Sequence, residues 1–285
     1  MLFLAGCNDS FQPFDENTVY NFSMYGFLDA SADTQWVRVV PARQEFNMPP
    51  TIPEVTVTLE DLQSDSAVVM NDSLKIPGDG FNFLNFWTTM NIRHGQTYRL
   101  TAEGPDGEVS RVTVTIPEMY PTPQLKQQQE YNEPITFSLE IFDVPKLADV
   151  QTWWFLGLFG PNLAERKLIT FNYRNVANEV AEGDYTVLID PEKELEEIER
   201  VTLLPPGGQI RVLYRQIYVA SAGPDWIEGI ASLDDPTYSI PNSYSNVENG
   251  LGYVIGIDSK VIPYVSCFNE EGLTPCSEEA PYWYD

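Results

Sequence analysis

Cysteine, histidine and basic side chains are the scarce materials of this sequence. Three cysteines and one histidine stand among 285 residues, and 16 lysines and arginines face 42 aspartates and glutamates, for a net charge of −26. Each shortage excludes something. Any Ser-His-Asp or Cys-His machinery would have to run through His94, and no G-x-S-x-G, P-loop or dinucleotide fingerprint accompanies it. Placed before Gly95-Gln96, His94 reads as a surface-loop residue. Zinc needs more thiolate and imidazole than the chain holds, and acidic spacing of the EF-hand kind is missing, so neither a metal nor another cofactor is expected. A field of this sign repels phosphate backbones, which excludes nucleic acid as a partner. No run of 18 apolar residues occurs, so no membrane-spanning helix is expected. Carboxylates are so numerous that some pair will always lie at glycosidase separation, and that signal carries no weight.

The cysteines are read from their neighbours. Leu4-Ala5-Gly6-Cys7, directly after Met1-Leu2-Phe3, has the leucine and small residues of a lipobox. Read so, Cys7 becomes an acylated, palmitate-bearing first mature residue, and the chain is held to a membrane by lipid rather than by a span. Only six residues precede Cys7, fewer than the roughly 7–15 apolar residues of a signal core, so the start of the precursor is expected upstream. The other reading is a chance match in a short apolar N-terminus. Cys267 and Cys276 are expected to form a disulfide around a short loop, contributing roughly 2–3 kcal/mol in an oxidising compartment; two free thiols or a metal pair are the alternatives.

Period-two patterning dominates what remains. Val55-Thr56-Val57-Thr58-Leu59 alternates strictly, and Tyr98–Ala102 and Val109–Ile116 flank Gly104-Pro105-Asp106-Gly107, a hairpin turn. The fold class expected is all-β and mainly antiparallel: residues 1–17 a signal remnant and tether, 18–117 an immunoglobulin-like β-sandwich, 118–134 a proline- and glutamine-rich linker, and 135–285 a second β-sandwich or barrel-like domain. One or two short helices belong to the second domain. Asp190 reads as an N-cap before Pro191, with Glu192 and Glu194 at the positive end and Leu195 and Ile198 inward. A further short helix is expected around Trp226 to Leu233.

Aromatic clusters are the candidate binding residues. Trp153 and Trp154, adjacent in a strand, must point to opposite faces, so one should face outward, and Trp154 is the candidate; its alternative is a place in the core. Phe81, Phe83, Phe86 and Trp87 read mainly as core. Gly250 and Gly252 around Leu251 read either as a binding loop or as a tight corner before the last strand.

The segment Ser245-Asn246-Val247-Glu248-Asn249-Gly250-Leu251-Gly252-Tyr253 resembles the C-terminal motif of an uncharacterised family of Bacteroidetes-type cell-envelope lipoproteins, a domain of unknown function. The order of lipobox, immunoglobulin-like sandwich and second β-rich domain is similar over nearly the whole chain. The resemblance implies a non-enzymatic outer-membrane lipoprotein, periplasmic or surface-facing, accessory to a TonB-dependent receptor or other solute uptake system. The glycine-flanked loop and the outward-tryptophan argument make Asn246, Asn249, Gly250, Gly252, Tyr253 and Trp154 the candidate binding residues. A glycan-binding or adhesion module and a glycosidase using paired carboxylates are the alternatives.

Overall fold

The computed structural model describes residues 20–42, 54–75, 83–128, 135–160, 163–226, 245–264, 267–269 and 272–274. Cys7, Cys276, Phe81, residues 1–17 and most of the expected Trp226–Leu233 helix lie outside them.

The first half of the chain folds as β1 (Phe22–Asp29), β2 (Gln35–Pro41), β3 (Thr56–Asp61), β4 (Ser66–Val69), β5 (Asn71–Lys75), β6 (Phe83–Thr88), β7 (Thr97–Glu103) and β8 (Val109–Thr115). Alternation decides their faces. In β3, Val57 and Leu59 are buried between exposed or half-buried threonines, as period two requires. The β7–β8 hairpin turns where the sequence places it, with Gly107 at φ 82° and its amide bonded to the Gly104 carbonyl at 3.2 Å.

The second half supplies β9 (Gln124–Gln128), β10 (Thr136–Ile141), β11 (Leu147–Gly160), β12 (Leu163–Asn172), β13 (Asn178–Ala181), β14 (Asp184–Ile189), helix α1 (Pro191–Val201), β15 (Gln209–Ala222), β16 (Gly250–Pro263), β17 (Cys267–Asn269) and β18 (Gly272–Thr274). Asp190 caps α1 by accepting from the Lys193 amide, and Pro191 opens its first turn.

The fold is all-β with open sheets. Eight strands form one sheet in the order β12-β11-β15-β16-β1-β2-β6-β5, and two four-stranded sheets, β4-β3-β7-β8 and β13-β14-β10-β9, accompany it. No barrel closes among the described residues. β1 and β16 make the parallel pair of the sheet, Phe22 opposite Gly250 through Asp29 opposite Ile257. Strand β16 serves both cores from one face. Val254 lies in the first core, with Met24, Val37, Phe86, Leu100 and Val114, while Ile262 lies in the second, with Val150, Trp154, Leu139, Val187 and Ile198.

Against the expected division at 118–134, the first core takes residues from Phe22 to Ile116 together with Val247 and Val254 of the second half, and the second core starts at Tyr120. The hydrogen bonding differs from that expectation. The eight-stranded sheet runs through both halves, and the stretch read as a linker holds Tyr120, whose hydroxyl donates to the Val219 carbonyl at 3.0 Å, and the edge strand β9, paired with β10. Prolines kept this segment out of a sheet interior but left it a sheet edge.

Candidate binding face

Both small sheets pack on one face of the large sheet, which leaves its other face to carry side chains away from the cores. Across β12, β11 and β15 the register sets these in rows: Leu168, Phe155 and Tyr214; Thr170, Trp153 and Gln216; Asn172, Gln151 and Tyr218. Phe155 stacks on Tyr214 at 4.0 Å between centroids, and Trp153 on Tyr218 at 5.0 Å with planes 12° apart. The Trp153 indole N–H donates to Gln151 Oε1 at 2.8 Å. All four rings are half-buried, so each offers an edge or face to solvent.

The same face continues over the first half. Trp87, Trp36, Phe27 and Ile255 occupy one cross-strand row, and Asn85, Arg38, Tyr25 and Tyr253 the next. Tyr25, Phe27 and Trp36 are 41, 44 and 45% exposed. Trp36 and Trp87 lie 6.0 Å apart and tilted by 33°, while Tyr25 meets Tyr253 edge-on at 5.5 Å. Between the two aromatic areas Trp226 joins Ala220, Ala222, Ile255 and Ile257 in a small buried cluster, with the Arg174 guanidinium 5.7 Å above its ring.

Trp154 does not face outward. It is 1% exposed, because β11 turns its even-numbered residues to the second core and Trp153 to the other face. Its indole N–H donates to Glu194 Oε2 at 3.2 Å, and Thr152 Oγ1 donates to Glu194 Oε1. The Arg215 guanidinium lies 4.6 Å from the Trp154 ring and 4.3 Å from that of Tyr264. Burial pushes the Glu194 carboxyl above its ordinary range, against the hydrogen bonds from Thr152, Tyr173 and Trp154 and the charge of Arg215. Burial lowers Arg215. A raised carboxyl in a cleft would suggest acid–base chemistry, but Glu194 is 3% exposed and held by sheet donors. It fastens α1 to the sheet.

The Asn246–Tyr253 segment forms the corner that the glycines suggested. Asn246 Nδ2 donates to the Val254 carbonyl at 2.7 Å and its Oδ1 accepts from the Val254 amide at 3.1 Å, so one side chain imitates a strand partner. Asn249 stands at φ 52°. A Cβ on Gly250 would lie 2.5 Å from the Phe22 carbonyl oxygen, and one on Gly252 2.2 Å from that of Met24. Close approach of β16 to β1 requires both glycines. Of this group only Tyr253 reaches the aromatic face, and the polar groups of Asn246 are engaged by backbone.

His94 is more than a loop residue. Its Nε2 lies 3.2 Å from Oδ1 of Asp258, whose side chain is fully buried, with Lys260 Nζ 3.6 Å from the other carboxylate oxygen. Ser31 Oγ donates to the same Oδ1 at 2.7 Å. Nucleophile activation needs the base in contact with the hydroxyl; here the carboxylate stands between serine and imidazole. The group lies on β16 between Val254 and Ile262, where it joins the polar seam between the cores. Among the described residues no three histidine, cysteine or carboxylate side chains are grouped to hold a metal ion, and no helix is long and apolar enough to cross a membrane.

The outward residues Phe27, Trp36, Phe155, Tyr214 and Tyr218 were not singled out from sequence. The available signal was alternation: within Gln209–Ala222, Tyr214, Gln216 and Tyr218 share one parity, as do Trp153 and Phe155 in β11.

No family model and no curated protein matches the chain. Among solved structures it is similar to a pullulanase from Anoxybacillus sp. LM18-11 complexed with maltotriose, at 12% identity and a TM-score of 0.23. The pullulanase from the same organism gives 13% and 0.23. The match covers 70% of this chain and 24% of either pullulanase, and a likeness that slight passes no activity from one to the other.

Proposed function

We propose that this chain is a non-enzymatic cell-envelope lipoprotein that binds saccharide on the outer face of its eight-stranded sheet, as the capturing accessory of an outer-membrane uptake system. The observation that carries the reading is the pair of aromatic areas on that face, interleaved with amide, hydroxyl and guanidinium groups. Aromatic rings offer flat apolar area at small entropic cost, which suits the C–H faces of a pyranose, while Asn85, Gln216 and Thr170 supply the donors and acceptors its hydroxyls require. The row from Trp87 through Trp36 to Phe27 crosses three strands, about 10 Å at the usual strand spacing, so the surface suits a chain of sugars rather than a single one. The Cys7 anchor of this reading would hold the face near the membrane without a span.

Affinity electrophoresis through gels containing soluble polysaccharides tests it. Retardation by at least one polysaccharide is expected, weakened about thirtyfold by Trp36→Ala, a loss of the size seen at interface hot spots, with thermal unfolding little changed because that residue is 45% exposed and lies outside both cores. A protein retarded by none, yet recovered stoichiometrically with a TonB-dependent receptor from detergent-solubilised envelopes, would make the face a protein-docking surface instead.

A further inference from the structure

The aromatic rows of β12, β11 and β15 end in a basic row. Arg166 and Arg211 lie on either side of Gly157 in the next register position beyond Leu168, Phe155 and Tyr214. A bulge between Phe155 and Leu156 sets the β15 register there, and such irregularities re-aim side chains. Gly157 leaves the space that the Phe159 ring occupies: a Cβ on it would stand 2.6 Å from that ring. Phe159 is 44% and Leu168 49% exposed. Together these residues line an open groove of about 700 Å³ whose outward charges are the two arginines, since Lys167 and Glu165 pair with Leu156 and Leu158 and alternate to the core side of the sheet.

That balance runs against the rest of the chain. With 42 acidic and 16 basic side chains, the molecule's own field opposes an approaching anion, yet two arginines flank Gly157 on this one face. Guanidinium groups are suited to bidentate pairing with carboxylate and sulfate, and the Phe155–Tyr214 stack lies one register step away, within reach of the ring that bears such a group.

We infer that the groove between β12, β11 and β15 binds an acidic sugar unit, with Arg166 and Arg211 on its carboxylate or sulfate and Phe155 and Tyr214 under its ring. The inference rests on the saccharide reading above and narrows it to anionic glycans. Local cations and a local platform give selectivity, while the acidic remainder repels polyanions that present charge without a ring to stack.

Matched polysaccharide pairs decide it: polygalacturonate against its methyl ester, carboxymethylcellulose against hydroxyethylcellulose, and chondroitin sulfate against its desulfated form, each in affinity gels at low and high salt. The wild type should be retarded more by the charged member of at least one pair, by about tenfold in affinity, the value of one charge-assisted contact, and this preference should shrink with salt. Arg211→Glu with Arg166→Glu should abolish the preference for the charged member; Arg166→Gln alone, a milder change on the opposite strand, should reduce it. Phe155→Ala should weaken both members alike. Equal retardation by both members of every pair, or a preference that survives the Arg211→Glu and Arg166→Glu exchange in a folded protein, would overturn the acidic-sugar inference and leave the saccharide reading standing. No retardation of the wild type by any polysaccharide would overturn both.

Discussion

Glu194 shows at the residue scale how a carboxylate that sequence places at the positive end of a helix becomes a core anchor. Its position near the N-terminus of α1 suggested a carboxylate drawn by the helix dipole. In the fold it accepts from Thr152, Trp154 and Tyr173, with Tyr264 Oη 3.4 Å away. Removing the acceptor leaves several buried donors unmatched, so Glu194→Ala should cost about 3–5 kcal/mol. Glu194→Gln should cost less and change the pH dependence. A carboxyl raised by burial above its ordinary 4.5 favours the folded state in its protonated form. That contribution is complete below the unfolded value and is lost as pH rises through the folded one. Urea unfolding of the wild type should therefore show a loss of stability on going up from about pH 4.5 that the glutamine variant lacks. Identical slopes in the two proteins would show that Glu194 is not the titrating group.

At the scale of elements, β16 depends on backbone closeness more than on side chains. Gly252 combines φ 98° with a Met24 carbonyl oxygen 2.2 Å from where a Cβ would stand, and that oxygen cannot retreat without disturbing β1. Gly252→Ala should cost about 3 kcal/mol in thermal or urea unfolding. Gly107→Ala is the control: its φ is 82° but nothing lies within 4 Å, so about 1 kcal/mol is expected. Equal losses would mean that conformation, rather than the approach of β1, sets the cost. The same strand marks where sequence reading stops. The Asp190 cap, Pro191 and the Gly104–Gly107 turn are local devices, and each was legible because its cause lies within a few residues. Asn246 was noticed, but its role depends on Val254 accepting and donating eight positions away, and its amide forms a strand bridge rather than a ligand contact. For Trp153 and Trp154 the opposition of faces followed from period two, whereas which face met the core depended on Arg215 and Glu194, from β15 and α1. The binding face escaped for a related reason. Its residues come from seven strands, and only cross-strand register, set by the β1–β16 pairing among others, gathers Trp87 with Phe27 or Arg166 with Arg211.

For the whole molecule, the shared sheet changes what the two halves can do separately. An independent immunoglobulin-like unit would close its own sheets within residues 18–117. Here β1 is bordered on one side by β16, Val247 and Val254 fill the first core from the second half, and Thr115 accepts no such separation, its amide donating to Asp225 at 2.8 Å. At the seam, Asp258 on β16 meets Ser31 and His94 from the first half. A fragment of residues 18–134 would expose one edge of β1 and leave the first core without two of its side chains, and each large apolar residue withdrawn from a core costs about 2–5 kcal/mol, a large part of the 5–15 kcal/mol that stabilises a typical domain. That fragment should therefore show a collapsed, poorly dispersed amide spectrum. In the complete chain, tryptophan fluorescence, which reports Trp36 and Trp87 of one half and Trp153, Trp154, Trp226 and Trp283 of the other, should change together with far-ultraviolet circular dichroism in a single urea transition. A well-dispersed spectrum from the 18–134 fragment, or two separated transitions in the complete chain, would show that the halves fold independently and that the β1–β16 pairing docks finished units; coincident transitions lost together on Gly252→Ala would place that pairing within the folding unit itself.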